Sequence, residues 1–123
     1  MSTSIEYNWY LVFSSTEKAI ALIPEGRAIR VEVEDQVVCL TRQGSTFYAF
    51  EDKCPHQGVP LHKGKCEDGY FICPWHRYAF HLSNGRERNG MCDVLKIFAA
   101  KVENDKIYIG IPKRKRGWLG WFT

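Results

Sequence analysis

Two short cysteine–histidine pairs constrain this 123-residue chain more than any other feature of its sequence. The first is Cys54-Pro55-His56 and the second is Cys73-Pro74-Trp75-His76, and each lies among turn-forming residues. Two thiols and two imidazoles form a donor set typical of a metal site. Because each pair mixes the two donor types, each loop can give one ligand to each of two metal ions. The pattern indicates a binuclear iron–sulfur cluster with Cys₂ on one iron and His₂ on the other.

Two other interpretations of these pairs remain open at the level of the residues. Structural zinc sites also use cysteine and histidine, but usually with two or more residues between paired cysteines and then between paired histidines. The four residues can also be core histidines and inert thiols. The mixed spacing favours the iron–sulfur interpretation over both.

Short alternating segments on either side of the pairs predict an all-β fold. The strand candidates are residues 9–13, 28–33, 37–42, 46–50, 95–103 and 106–111. Tight polar turns separate the second, third and fourth of them, which indicates an antiparallel meander. Residues 17–22 can form one helical turn, and no window has a sustained helical period. We therefore expect one antiparallel β-sandwich or barrel.

Length and composition bound the class of protein. A chain of 123 residues with 45% hydrophobic and 25% charged residues has the size and composition of one soluble globular domain. No apolar run approaches the ~20 residues of a membrane-spanning helix. The N-terminus lacks the basic and then apolar pattern of a secretory signal. Five cysteines, an odd number, fit metal ligands with spare thiols better than a complete disulfide framework. We therefore expect a cytoplasmic protein.

The basic residues are concentrated in a C-terminal tail, residues 113–123, with the sequence KRKRGWLGWFT. The net charge of the chain is +3, so without the four consecutive cations of this tail the chain is about neutral or slightly acidic. The tail is either a charged end whose aromatic residues pack on the domain, or a docking element for a partner or a membrane surface. We expect no nucleic-acid binding from four basic residues.

The motifs CPHQGVPL, residues 54–61, and CPWHRYAF, residues 73–80, resemble those of the Rieske-type [2Fe–2S] ferredoxins, the soluble low-potential family that serves ring-hydroxylating oxygenases. Residues 46–53 and 95–109 resemble the strand that enters the first loop and the closing hairpin. The resemblance implies a Rieske-type β-sandwich or barrel over residues 1–112, with a small cluster-binding subdomain at about 52–93.

The resemblance also implies a ligand set. One [2Fe–2S] cluster per chain is expected, with Cys54 and Cys73 on the inner iron and His56 and His76 on the outer iron near the surface. No catalytic residue is expected, because no 2-His-1-carboxylate triad for oxygen activation can be assigned.

By the same resemblance, the chain is a one-electron carrier rather than an enzyme. It accepts electrons from a flavin-containing reductase, passes them to a terminal oxygenase such as a dioxygenase, and has no direct small-molecule substrate. Two alternatives remain. One is a small subunit of a nitrite-reductase-like complex, although many such subunits lack the four ligands. The other is a zinc-binding or redox-sensing interaction module.

Four positions beside the ligands predict a low reduction potential. High-potential members of the family carry a disulfide where this chain has Val59 and Trp75. They also carry serine and tyrosine hydroxyls, which donate to the cluster, where it has Tyr78 and Phe80. Fewer donors to the cluster sulfurs favour the oxidised state, so we predict a potential of about −150 mV. Trp75 and Phe80 are expected to pack around the cluster.

Two residues depart from the soluble-ferredoxin pattern. Arg77 follows the second histidine, where the family generally has glycine, so it stays at negative φ or accepts strain. The charge of Arg77 either guides an acidic partner or raises the reduction potential of the cluster; the alternative is that Arg77 is an ordinary solvated side chain. Val94 stands where the family often has proline in a third loop that covers the cluster.

The other cysteines and histidines are expected not to be ligands. Cys39 lies in a strand pattern and is expected in the core. Cys66 and Cys92 fall in predicted loops and are expected to be free thiols, with a disulfide under oxidation as the alternative. His62 and His81 are expected to be solvated or hydrogen-bonded.

Overall fold

The computed structural model describes residues 6–113, which form nine β-strands and one short helix. The elements are β1 (Tyr7–Phe13), α1 (Thr16–Leu22), β2 (Ala28–Val33), β3 (Gln36–Gln43), β4 (Thr46–Glu51), β5 (Lys65–Glu67), β6 (Tyr70–Ile72), β7 (Ala79–His81), β8 (Ile97–Glu103) and β9 (Lys106–Pro112). The predicted all-β fold is confirmed. Residues 114–123, and with them nearly all of the C-terminal tail, lie outside the described residues.

The strands form two antiparallel sheets. Six strands make a curled sheet in the order β1-β9-β8-β4-β3-β2, and the other three make a small sheet in the order β5-β6-β7. Two-residue turns join β2 to β3, β3 to β4 and β8 to β9, as the sequence predicts. Asn104 and Asp105, in the last of these turns, both have positive φ, the backbone form whose twist matches paired antiparallel strands.

The strands β3 and β4 separate two hydrophobic cores. Val38 and Leu40 of β3 point into a core formed by the large sheet and α1, whereas Cys39 between them points into a second core. On β4, Ala49 and Phe50 divide in the same way. This division follows from the two-residue period of a strand. It explains why the apolar run of β3 is nearly continuous, since both faces of the strand are buried.

The single helix closes one end of the first core. The Ser15 hydroxyl accepts from the backbone N–H of Lys18 at 3.1 Å, which caps the helix, and Ala19 is fully buried. The predicted helical turn at 17–22 is thus confirmed. No helix within residues 6–113 is long and apolar enough to cross a membrane.

The small sheet was not predicted. Each of its strands has three residues, too few for a two-residue period to be recognised in the sequence. It packs on the second core through Phe71 and Phe80, which are fully buried. The small sheet carries the second cysteine–histidine pair between β6 and β7, while the first pair follows β4.

Candidate metal centre

The two cysteine–histidine loops close on themselves with the same backbone bond. The N–H of Cys54 donates to the carbonyl of Val59 at 2.8 Å, and the N–H of Cys73 donates to the carbonyl of Tyr78 at 2.8 Å. In the first loop Gly58 also donates to the Cys54 carbonyl at 2.7 Å, with a φ of 75° that favours glycine. Each loop is therefore a tight turn that begins at its cysteine.

These turns bring the predicted ligand residues together in two pairs, the two cysteines and the two histidines. Cys54 and Cys73 are fully buried in the second core, beside each other. His56 and His76 are exposed, with ring centroids 6.4 Å apart and planes at 81°. The site thus has a buried thiol side and a solvent-facing imidazole side.

Burial has an electrostatic consequence for the thiols. Loss of water, the largest cause, and the neighbouring Cys54 together raise the pKa of Cys73 to about 12, although the backbone N–H of Trp75 acts to lower it. A thiolate is therefore unfavourable here without a positive charge beside it. A metal supplies that charge and deprotonates its thiol ligands, so this pair of buried thiols fits metal binding coupled to proton release.

A buried carboxylate anchors the first loop. Asp52 accepts from the backbone N–H groups of Leu61 at 2.7 Å and His62 at 2.8 Å, and its other oxygen lies 2.7 Å from Nδ1 of His62. These bonds join the start of the loop to its end. His62 is hydrogen-bonded, as expected. The role of Asp52 was missed, because its partners lie nine and ten residues away and no local pattern shows them.

Tyr78 contacts one histidine of the site. Its hydroxyl lies 3.2 Å from Nε2 of His56, and the two rings are in contact, with centroids 4.4 Å apart and planes at 58°. Since Nε2 has this partner, Nδ1 is the nitrogen of His56 left for a metal. Tyr78 thus reaches the imidazole side of the site.

The second loop adopts a rare backbone form. His76 and Arg77 have φ values of 66° and 57°, in the left-handed region that non-glycine residues seldom occupy. Of the two alternatives for Arg77, the structure shows the strained one. Two such residues in succession turn the His76 side chain outward at the tip of the loop.

The two residues predicted to pack around the cluster differ in exposure. Phe80 is fully buried in the second core, beside Cys54 and Cys73. Trp75 is 54% exposed and meets the His76 ring edge-on, with centroids 5.7 Å apart. Trp75 therefore adjoins the histidine side of the site.

A third loop, residues 82–96, borders the site. Glu87 accepts from the N–H groups of Asn89 at 2.8 Å and Met91 at 2.9 Å, which fixes the bend before Cys92. Cys92 is half-buried and packs on the second core. Val94 of the same loop is 57% exposed.

The remaining predicted non-ligands are placed as follows. Cys39 is buried in the second core, as expected, and all five cysteines are free thiols. Cys66 lies in β5 rather than in a loop, because the residues of β5 pair with those of β6. The sulfur of Cys66 is 3.2 Å from the Thr41 hydroxyl. His81 stacks on Tyr70 with centroids 4.4 Å apart.

Comparison with known families and proteins gives a consistent result. The family model described as the Rieske [2Fe–2S] domain matches residues 8–99. The 3-phenylpropionate/cinnamic acid dioxygenase ferredoxin subunit of Shigella flexneri is 32% identical over 99 residues, covering 76% of this chain and 90% of that protein. Human apoptosis-inducing factor 3 is 35% identical over 94 residues, covering 75% of this chain but only 15% of its own length.

Solved structures share the fold. One is similar over 87% of this chain and 97% of the other, with a TM-score of 0.71 and 26% identity; it belongs to a complex of reduced oxygenase and oxidised ferredoxin in carbazole 1,9a-dioxygenase. A putative NADH-dependent nitrite reductase small subunit from Mycobacterium tuberculosis covers 89% of this chain and 99% of its own, with a TM-score of 0.78 and 18% identity. At 18% identity, the second likeness shows the fold alone.

Proposed function

Because this chain belongs to the Rieske [2Fe–2S] domain family, we propose that it carries single electrons from a flavin-containing reductase to a terminal oxygenase. The observation that carries this proposal is the two-sided site, with fully buried Cys54 and Cys73 on one side and exposed His56 and His76 on the other. Its homologues are ferredoxin components of dioxygenase systems, not catalytic subunits.

The domain carries a [2Fe–2S] cluster, and we assign its ligands to Cys54, His56, Cys73 and His76. The donor set fits the Cys₂His₂ ligation of Rieske centres. Among residues 6–113, no three histidine, cysteine or acidic side chains converge as a single ion requires. Cys54 lies beside Cys73, and His56 lies near His76. These two pairs fit a cluster of two irons that each take two protein ligands. When bound, the cluster would supply one-electron redox chemistry. The protein would bury its cysteine-ligated side and leave its histidine-ligated side exposed to solvent.

The exposed histidines define the side on which electrons enter and leave. His56 and His76 lie at the surface, so a partner that docks on them approaches the metal site without crossing the protein interior. The complex of an oxygenase with a ferredoxin among the similar structures supports an oxygenase as one partner. The reductase is the electron source that this scheme requires.

We propose a low reduction potential, about −150 mV, for this site. Val59 and Trp75 leave no disulfide between the loops, and Phe80 brings no hydroxyl. One donor in reach of a ligand sulfur is the backbone N–H of Trp75, 3.4 Å from Sγ of Cys73. A redox titration of the purified protein checks this value, and a clearly positive midpoint contradicts it.

The cytoplasm is the compartment that this function and this cysteine content fit. Cys39, Cys66 and Cys92, the three cysteines that are not proposed ligands, form no disulfide. Free thiols persist in a reducing compartment. The nitrite-reductase-like alternative is not favoured, because all four proposed ligands are present in this chain.

The ligand assignment is tested by replacing one thiol at a time. Cys54→Ser and Cys73→Ser are expected to abolish the visible absorption of the cluster and to lower bound iron and sulfide to background. Cys92→Ser removes a half-buried thiol from the same core and is expected to keep the cluster. Retention of the cluster in either ligand variant, or its loss in Cys92→Ser alone, contradicts the assignment.

A further inference from the structure

Four cationic side chains line one groove beside the second cysteine–histidine loop. The groove is formed by Arg27, Lys63, Gly64, Lys65, Ile72, Cys73, Pro74 and Arg77, and no acidic residue lines it. Three separate parts of the chain bring the cations together: the segment before β2, the segment around the start of β5, and the loop that holds His76. The groove therefore concentrates positive charge next to an exposed proposed ligand.

This charge is only partly neutralised within the molecule. Glu67 lies 3.4 Å from Nζ of Lys65 and 3.9 Å from the guanidinium of Arg77, and all three side chains are well exposed to water. Within residues 6–113, Arg27 and Lys63 form no ion pair. Exposed pairs are weak, so the groove keeps a positive potential that can attract an anion from solution.

The groove continues into an apolar hollow. Lys63 and Pro74 line both, and the hollow is completed by Val59, Pro60, His62 and Trp75. Trp75, more than half exposed, is a large aromatic side chain of the kind that anchors protein interfaces. An apolar area beside a charged groove is typical of a surface that binds another protein rather than a free ion.

We propose that this basic groove is the docking site for carboxylate side chains on the surface of the electron-transfer partner. This inference rests on the proposed function and adds the chemistry of the partner: its docking surface is acidic. Attraction between the cations and these carboxylates speeds encounter and orients the partner with its redox centre towards His76. Salt weakens the attraction, because the four cations are exposed.

The test compares two double variants that remove the same charge. Arg27→Gln with Lys63→Gln removes the two cations of the groove that form no ion pair within residues 6–113. Lys18→Gln with Lys106→Gln is the matched control, since these residues lie near the turn between β8 and β9, at the end of the large sheet away from the site. Visible and EPR spectra of each variant first verify the cluster.

Stopped-flow oxidation of the reduced holo-protein by hexacyanoferrate(III), a trianion, gives the readout at low ionic strength. The groove variant is expected to react several-fold more slowly than the wild type, and the control to be unchanged. A hexaglutamate peptide, the probe for partner carboxylates, is expected to slow the wild type and the control but not the groove variant. Added salt is expected to remove both differences.

Equal rates, or equal inhibition by the peptide, in the groove variant and its control overturn the proposal. That failure differs from a failure of the proposed function. If the wild type shows no cluster spectrum or passes no electron to the oxidant, the carrier function itself is wrong. If it passes electrons and the groove charges have no effect, only the acidic docking surface is wrong.

Discussion

The hydroxyl of Tyr78 lies 3.2 Å from Nε2 of His56, which gives one proposed ligand a partner on its outer nitrogen. With Nδ1 on iron, Nε2 carries the proton and donates it to the tyrosine oxygen. Such a bond makes the imidazole a better electron donor and favours oxidised iron.

Tyr78→Phe is therefore expected to raise the midpoint potential by about 20–40 mV, the equivalent of one modest hydrogen bond for a one-electron couple. Tyr70→Phe, on a ring that stacks on the non-ligand His81, is the control and is expected to leave the potential unchanged. A redox titration of both variants measures the difference. A lower potential in Tyr78→Phe would show that the bond stabilises the reduced form instead.

Arg77 has a φ of 57° in the turn that directs His76 outward. The left-handed form costs a non-glycine residue about 1–2 kcal/mol of folding free energy. Glycine avoids this cost, but its greater flexibility in the unfolded chain offsets about 0.4–1 kcal/mol of the gain. Arg77→Gly is thus expected to stabilise the holo-protein by up to about 1 kcal/mol relative to Arg77→Gln, which loses the same charge but keeps its Cβ. Thermal unfolding of the two variants measures this, and a lower midpoint for Arg77→Gly contradicts the strain.

Among the elements, the first cysteine–histidine loop depends on one side chain. Asp52, almost fully buried, joins the end of β4 to Leu61 and His62 through three bonds. Asp52→Ala leaves the buried N–H of Leu61 without its acceptor. We expect a loss of about 2–4 kcal/mol in unfolding free energy, together with lower cluster occupancy.

The control for this change is Asp93→Ala, which removes an exposed carboxylate of the third loop and is expected to alter neither quantity. Thermal unfolding and iron content of the purified proteins give the comparison. If Asp52→Ala keeps the stability and iron content of the control, the loop does not depend on this anchor.

The third loop is expected to respond to acid through Glu87. Loss of water acts to raise the pKa of Glu87, but the backbone groups of Met91, Asn89 and Ala79 and the charge of Arg88 together hold the pKa below its ordinary value of 4.5. A lowered pKa in the folded state gives stability that is present above 4.5 and is lost as the pH falls through the folded value. The stability advantage of the wild type over Glu87→Gln is therefore expected to be constant near neutral pH and to shrink in acid. Unfolding midpoints across pH measure it, and a pH-independent gap contradicts it.

The elements also show what the sequence was able to predict. The six strands of the large sheet were found because segments such as 28–33 and 106–111 are long enough to show a two-residue period. The three strands of the small sheet were not, since each depends on pairing with its neighbours. The four proposed ligands were predicted from residue types and spacing, which are local features of the sequence. The bonds of Asp52, the exposure of Trp75 and the groove depend on chain packing, which no local pattern records.

The two hydrophobic cores of the molecule hold different parts of the fold. The first core holds the large sheet and α1, whereas the second core holds the two proposed cysteine ligands and the small sheet. Because β3 and β4 contribute to both cores, the first loop begins at a strand that is packed on both faces. The histidines and the basic groove then face outward on the same side, where a partner can meet both.

We expect one cluster to take nitrogen ligands from His56 and His76 and sulfur ligands from Cys54 and Cys73. Electron spin-echo envelope modulation of the dithionite-reduced protein tests this ligand set. We expect a [2Fe–2S] EPR signal with couplings to two histidine nitrogens, and loss of this two-nitrogen pattern in His56→Ala and in His76→Ala. A reduced cluster without histidine nitrogen couplings, or a colourless protein with one zinc per chain, would contradict it.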